Sequence, residues 1–122
     1  ENRKIERQKA ADFIFELWDS NIPQIVIENP RGWFQYLMDY DQLIQPYQYG
    51  EPYQKATCLW LKNVKPLTPT HILTDYEKRW ARNKKGSHSS KSRSKTFQGI
   101  AAAMANQWAN PDYKPPVKNF DF

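Results

Sequence analysis

The alternation of hydrophobic and polar positions predicts a helix and then a strand in the first third of the chain. Over residues 2–18, apolar side chains recur at intervals of three and four, with basic residues between them, which is typical of an amphipathic helix. Pro23 excludes a helical conformation for Ile22, so the helix should end before this point. Residues 24–28 contain three successive apolar, β-branched positions, residues 25–27. Such a segment indicates a central strand of a parallel sheet, covered by helices on both faces.

The middle of the chain predicts a hairpin. Residues 33–38 are rich in aromatic side chains and indicate a short helical turn. Residues 42–47 and 57–62 have the pattern of two strands, and the connection between them contains glycine and proline, as expected for a long hairpin loop. Pro46 cannot donate a backbone hydrogen bond, so the first of these strands should lie near an edge or end there.

A final helix should cover residues 97–109. Thr96 can cap its amino end, and Pro111 prevents its continuation. The order helix, strand, short helix, strand, strand, helix is similar to the second half of a doubly wound α/β domain whose last strands form an antiparallel hairpin. We therefore expect an α/β segment over residues 1–110 and a proline-containing tail over residues 111–122.

The composition fits one folded domain with a basic surface. The 122 residues include 18 Lys and Arg against 13 Asp and Glu, which gives a net charge of +5. No apolar run approaches the roughly 20 residues of a membrane-spanning helix, and no secretory signal is recognised, so we expect no membrane partner and a cytoplasmic location. Cys58 is the single cysteine, and His71 and His88 have no companions at metal-ligand spacing. Neither a disulfide framework nor a zinc site is therefore expected.

Two segments carry the residue types that contact nucleic acid. Residues 79–95 contain seven cations, no anion and a Gly-Ser-His-Ser-Ser run, which predicts a basic loop that contacts phosphates without reading bases. A solvated charge run without function is the alternative. The seven cations of this segment are Arg79, Arg82, Lys84, Lys85, Lys91, Arg93 and Lys95.

The second segment is the hairpin loop, which contains Tyr47, Tyr49, Tyr53 and Lys55. These residues form either a stacking surface with a phosphate contact or a loop packed onto the sheet.

Glu28 and Asn29 are the candidate catalytic residues. They follow the predicted buried strand directly, which places a carboxylate and an amide at the carboxyl end of a sheet, where open α/β folds bind ligands. A glutamate surrounded by apolar walls can hold a proton against a ring nitrogen of a flipped base. The alternative is that the two side chains only end a strand and brace a turn.

Four blocks of sequence resemble a known family. Residues 27–30, 45–50, 55–62 and 93–101 are similar, in the same order, to the closing half of a phage and prophage family described as DNA cytosine methyltransferase-like. The resemblance implies the second half of a Rossmann-like methyltransferase fold. It also implies that Glu28 recognises the target base and assists its protonation, that Asn29 orients Glu28, and that S-adenosylmethionine donates a methyl group to DNA.

The sequence also departs from that family. It holds neither the Gly-rich turn for S-adenosylmethionine nor the Pro-Cys pair that carries the nucleophile. Cys58 is expected to pack inside a strand, whereas a catalytic thiolate needs an exposed, electropositive site. We therefore expect no methyl transfer by this chain alone, and a requirement for an upstream or partner half. The alternative is a non-catalytic nucleic-acid-binding or phage-encoded inhibitory module, and a homo-oligomeric assembly protein comes third.

Overall fold

The computed structural model describes residues 2–74 and 97–114. The basic segment 79–95 and the predicted Thr96 cap lie outside these residues, as does most of the predicted tail. The described elements are two α-helices, α1 (Asn2–Trp18) and α2 (Gln98–Met104), and three strands, β1 (Ile25–Pro30), β2 (Gln42–Ile44) and β3 (Thr57–Lys62). Short 3₁₀ turns cover Trp33–Tyr36 and Pro46–Gln48, and a π-helical turn, Ala105–Ala109, continues α2.

The chain divides into two compact units. The first comprises Glu1–Leu43 and Thr57–Pro66, and the second comprises Ile44–Ala56 and Leu67–Phe122. The first unit contains α1, β1 and β3, and the second contains α2.

The described residues form a three-stranded antiparallel sheet in the order β1-β3-β2. The predicted hairpin of β2 and β3 is confirmed, although β2 is shorter than predicted, because Pro46 starts a 3₁₀ turn soon after it. Strands β1 and β2 run in the same direction, but β3 lies between them.

The predicted central position of β1 in a parallel sheet is not confirmed. Its neighbour is the antiparallel β3, with Ile25 opposite Lys62 and Pro30 opposite Thr57, and within the described residues β1 lies at the edge. The burial of the strands explains the difference. Four successive residues of β3 are buried, whereas none of β1 is, so β3 is the strand that neighbours cover on both faces.

Aromatic side chains form the core of the first unit. Phe34, Cys58 and Trp60 are fully buried. The Trp60 ring packs edge-on against Phe34, with centroids 4.9 Å apart, and its indole Nε1–H donates to the Met38 carbonyl oxygen over 2.8 Å. The buried indole is therefore both packed and hydrogen-bonded. Partly buried side chains on α1 that pack against this cluster are Ile14, Phe15 and Trp18.

Helix α1 confirms the predicted boundaries, but its amphipathic pattern holds only in part. Ala11 is buried, whereas Ile5 is 56% exposed and Phe13 is 60% exposed. Successive residues of an α-helix turn by about 100°, which places Ile5 about 120° and Phe13 about 160° around the helix from Ala11. Apolar residues at helical spacing thus occupy both faces, and the spacing rule alone does not separate them.

A lysine from the sheet caps the carboxyl end of α1. The Lys62 ammonium donates to the Trp18 carbonyl oxygen over 2.6 Å and to the Ser20 carbonyl oxygen over 3.0 Å. These carbonyls have no partners within the helix, and a cation is favourable at the negative end of the helix dipole. The Lys62 side chain of β3 therefore caps the carboxyl end of α1, a few residues before Pro23.

The second unit is held together by backbone pairing outside regular strands. The Gln48 carbonyl oxygen accepts hydrogen bonds from the amides of Thr70 and His71, each at 3.1 Å, and the Gly50 amide donates to the His71 carbonyl oxygen over 2.9 Å. The Gln107 side chain makes two bonds of 2.8 Å with the Thr68 backbone, one to its amide and one to its carbonyl. Each of these pairs joins the loop after Gln45 or the final helix to residues 67–73.

Tyr49 makes the stability of this unit depend on pH. The side chain is 3% exposed, its hydroxyl donates to the Leu67 carbonyl oxygen over 3.3 Å, and burial raises the pKa of Tyr49 to about 12. In the unfolded chain the phenol titrates near its ordinary pKa of 10. Between these values the unfolded state loses the proton first, so stability present below pH 10 falls as the pH rises towards 12.

We expect the loss to approach about 2 kcal/mol at the upper end of this range. Urea unfolding at about pH 9 and about pH 11.5 measures it. Tyr49→Phe should be less stable at pH 9, because it lacks the hydroxyl, but should lose less stability between the two pH values than the wild type. An identical loss in both proteins would contradict the assignment to Tyr49.

Candidate nucleic-acid interface

Glu28 and Asn29 lie within β1 rather than after it. Asn29 is opposite Cys58, and the pairing with β3 continues to Pro30. The predicted end of the strand at residue 28 is thus corrected by two residues. The sequence favoured the earlier end because asparagine and proline are uncommon in strands, but an edge position tolerates a proline that donates no hydrogen bond.

The two candidate catalytic side chains point to opposite faces of the sheet, because consecutive strand residues alternate. Ile27 lies opposite Trp60 and packs against the aromatic core, so Asn29, two residues on, lies on that same face. Glu28 lies opposite Leu59, on the other face, and is exposed. The backbone of β1 therefore does not direct the Glu28 and Asn29 side chains towards one base.

The Glu28 carboxylate is accessible. Among the residues that the structure describes, no side chain or amide forms a hydrogen bond or ion pair with it. Apolar walls around the carboxyl group, which the sequence analysis expected, are not found at this exposed position. Glu28 can therefore meet a ligand from solution.

The turn after β1 presents an aromatic and cationic surface. The Arg7 guanidinium of α1 lies over the Trp33 ring, 5.9 Å from its centroid. The Gln35 side chain accepts a hydrogen bond from the Gly32 amide at 3.3 Å, which closes the turn. Tyr36, at the end of the same 3₁₀ turn, is 82% exposed. We call the four residues Arg7, Arg31, Trp33 and Tyr36 the turn surface.

Sequence reasoning did not select the turn surface. Trp33 and Tyr36 appeared only as members of a short aromatic helical turn. The signal that could have found them is their spacing, because residues three apart in a 3₁₀ helix lie on the same side. The contribution of Arg7, twenty-six positions before Trp33, follows only from the packing of α1.

The hairpin-loop tyrosines pack rather than form a stacking surface. Tyr49 is buried, and the Tyr53 ring lies 5.5 Å from that of Phe97. The backbone amide of Lys55 donates to the Gln45 side chain over 2.8 Å, which fixes the loop, and the Lys55 side chain is half-buried. The packing interpretation of this segment is therefore favoured, and Lys55 remains a candidate for phosphate contact on charge alone.

Cys58 occupies a structural position, as predicted. Its thiol is fully buried in the aromatic core of the first unit. Burial raises the pKa of the Cys58 thiol, and the nearby positive charge of Arg31 offsets only part of this rise. Because the thiolate is the reactive form, this cysteine is not suited to act as a nucleophile.

Metal-binding and membrane-spanning features are not found in the described residues. Over 2–74 and 97–114, no three or more His, Cys, Asp and Glu side chains cluster as metal ligands would. Within the same ranges, no helix has the length and apolar character needed to cross a bilayer. The basic residues between 79 and 95 lie outside the described part of the chain. Comparison with family models, with curated proteins and with solved structures finds no match to this chain.

Proposed function

We propose that this chain is the nucleic-acid-contacting half of a phage-type DNA methyltransferase-like protein. The observation that carries the proposal is the accessible Glu28 carboxylate on β1, in a chain of net charge +5. In this proposal Glu28 contacts a DNA base, while Lys55 and the seven cations between residues 79 and 95 neutralise phosphates. The protein acts in the cytoplasm of a bacterial host.

The strand arrangement supports the methyltransferase-like part of the proposal. A segment cut from the end of a doubly wound sheet should contain a strand with one open edge and a terminal antiparallel hairpin. Strand β1 has such an edge within the described residues, and β2 and β3 form the hairpin. In the proposal, the Rossmann-like sheet continues beyond β1 with strands from an upstream or partner half.

Among the described residues, Gly50 and Gly99 do not form a cradle for S-adenosylmethionine. A cofactor cradle uses glycines because the absence of a side chain leaves room for the ligand. At two of the described glycines, other atoms of the protein lie next to the space that a side chain would take. A Cβ atom at Gly99 would lie 3.0 Å or less from Tyr49 backbone atoms, and one at Gly50 would meet the His71 side chain at 3.8 Å. Methyl transfer from S-adenosylmethionine therefore belongs, in this proposal, to the complementary half.

A second candidate function is a non-catalytic nucleic-acid-binding or inhibitory module on the same scaffold. The observation that favours it is the placement of Glu28 and Asn29 on opposite faces of β1, so that Asn29 does not orient Glu28. A methylation assay in the presence of the complementary half separates the two candidates. Methylation of DNA by this chain with its complementary half, lost in Glu28→Gln, supports the first, whereas DNA binding without methylation supports the second.

Both candidate functions predict salt-sensitive DNA binding. Fluorescence anisotropy with a short labelled duplex should show an affinity that falls steeply between about 50 mM and 200 mM salt, because bound cations release counterions from the phosphates. The double variant Lys84→Ala and Lys85→Ala should reduce the slope of log K against log salt by about two. The matched control is Lys9→Ala with Lys65→Ala, two exposed lysines of the described units. An equal effect of both pairs, or salt-insensitive binding, would exclude the basic segment as the phosphate contact.

A further inference from the structure

The 3₁₀ turn Trp33–Tyr36 presents two aromatic rings on one side, directly after the strand that carries Glu28. Residues three apart in a 3₁₀ helix eclipse each other, so Trp33 and Tyr36 lie on the same side of this turn. The rings differ in exposure. Trp33 is half-buried and meets the buried Phe34 edge-on, with centroids 5.7 Å apart, whereas Tyr36 is 82% exposed. One ring is thus anchored to the core, and the other is open to solution.

Two arginines accompany these rings. The Arg7 guanidinium lies 5.9 Å from the Trp33 centroid, within the range of a cation–π contact. Arg31 is exposed and two residues before Trp33, and the acidic residues nearest to the turn in sequence are Glu28 and Asp39, both exposed. An exposed ring on a turn that also carries Arg31, and whose first ring contacts Arg7, has the residue types of a surface that stacks a base and contacts its phosphate. A partner bound by apolar contact alone would not need the two cations.

We propose that Tyr36 stacks an unpaired nucleobase, while Arg7 and Arg31 contact the adjoining phosphates. The inference rests on the proposed function and extends it to a class of substrate, namely a nucleic acid in which a base is unstacked or single-stranded. The ring of Tyr36 reads no base sequence, because every base has a π-face. Trp33 is a positioning residue, since its ring holds the Arg7 guanidinium beside the turn.

The experiment compares two strands that carry the same phosphates. One is a short oligothymidylate, and the other is an abasic strand with an equal number of phosphates. Tyr36→Ala should weaken oligothymidylate binding about tenfold, the order expected for the loss of one stacked base, and should leave abasic-strand binding unchanged. Tyr36→Phe keeps the ring and should retain wild-type affinity for both strands. Fluorescence anisotropy at low salt measures each affinity.

Phe13→Ala is the matched control. Phe13 is also an exposed aromatic residue, 60% accessible, but it lies on the outer face of α1. It should change neither affinity, and both alanine variants should keep the wild-type circular dichroism spectrum and melting temperature.

Two results overturn the stacking inference while salt-sensitive binding, and with it the proposed function, stands. One is an equal loss for both strands in Tyr36→Ala, which would indicate lost phosphate contact rather than stacking. The other is no loss for either strand. Absence of any low-salt binding by the wild-type chain would instead overturn the proposed function itself.

Discussion

Replacing Gly99 by alanine is expected to destabilise the protein by about 3 kcal/mol, the upper end of the cost of overpacking. In an unobstructed helix the same substitution stabilises by up to about 1 kcal/mol, because glycine loses the most conformational freedom on folding. At Gly99 the added Cβ atom would overlap the carbonyl oxygen of Tyr49 and lie 3.0 Å from its carbonyl carbon. The clash involves backbone on both sides, so no side-chain rotation relieves it. The start of α2 would have to move away from Tyr49.

The measurement is urea unfolding followed by circular dichroism. Gly32→Ala is the matched control, because a Cβ atom there meets only the Pro30 carbonyl oxygen, at an ordinary 3.8 Å, and the extended φ of 174° suits any residue. We expect the control to change the free energy of unfolding by less than about 0.5 kcal/mol. A Gly99→Ala protein as stable as the wild type would show that α2 does not pack on Tyr49 in this way.

Replacing Trp60 by alanine should cost about 4 kcal/mol, within the range for truncating a large buried aromatic side chain. Trp60 is fully buried on the central strand, and its ring contacts Phe34 at 4.9 Å and Tyr40 at 6.4 Å between centroids. The substitution removes this packing and also leaves the Met38 carbonyl oxygen without its 2.8 Å donor. Since the ring lies between α1 and the sheet, both elements lose packing contacts.

Thermal and urea unfolding measure the effect, and Tyr36→Ala is the control for loss of an aromatic ring as such. Tyr36 is 82% exposed, so its removal should leave the free energy of unfolding within about 0.5 kcal/mol of the wild type. Trp60→Phe should fall between the two, because it keeps a ring but loses the indole donor to the partly buried Met38 carbonyl, at a cost of about 1 kcal/mol. A smaller loss in Trp60→Ala than in Trp60→Phe would contradict the packing described for β3.

These stability effects are independent of the functional proposals, which concern exposed groups. Glu28 and Tyr36 are both exposed, so their substitutions test function with little effect on folding. Glu28→Gln and Tyr36→Ala together address the two contacts a base could make, hydrogen bonding at its edge and stacking on its face. If both proposals hold, the two variants weaken different properties: methylation in the presence of the complementary half, and affinity for unpaired strands.

Local pattern predicted the elements of this protein well. Intervals of three and four placed α1 at residues 2–18, and the β-branched run and the hairpin pattern located all three described strands. Proline explains most of the remaining boundaries. Pro46 ends β2 early because it cannot donate to the ladder and its fixed φ suits a 3₁₀ turn, whereas Pro30 is accommodated at the end of an edge strand.

The candidate site was predicted less well, because its geometry depends on pairing. Glu28 and Asn29 are adjacent in sequence, which predicts that they belong to one site. Their pairing with Leu59 and Cys58 extends the strand through both residues, so the side chains alternate to opposite faces. The turn surface was missed because Arg7 reaches Trp33 only through the docking of α1.

The sequence by itself determined which segments are helical or extended, the basic character of the chain and the burial of Cys58, because these properties depend on side chains that are near one another along the chain. Tertiary structure decided the strand order β1-β3-β2, the face on which Glu28 lies and the partner of the Trp33 ring. The physical reason is that a strand's neighbour and register, and a helix's docked face, are set by which buried surfaces fit together. These surfaces are formed by residues far apart in sequence, so no local pattern predicts which of them will pack together.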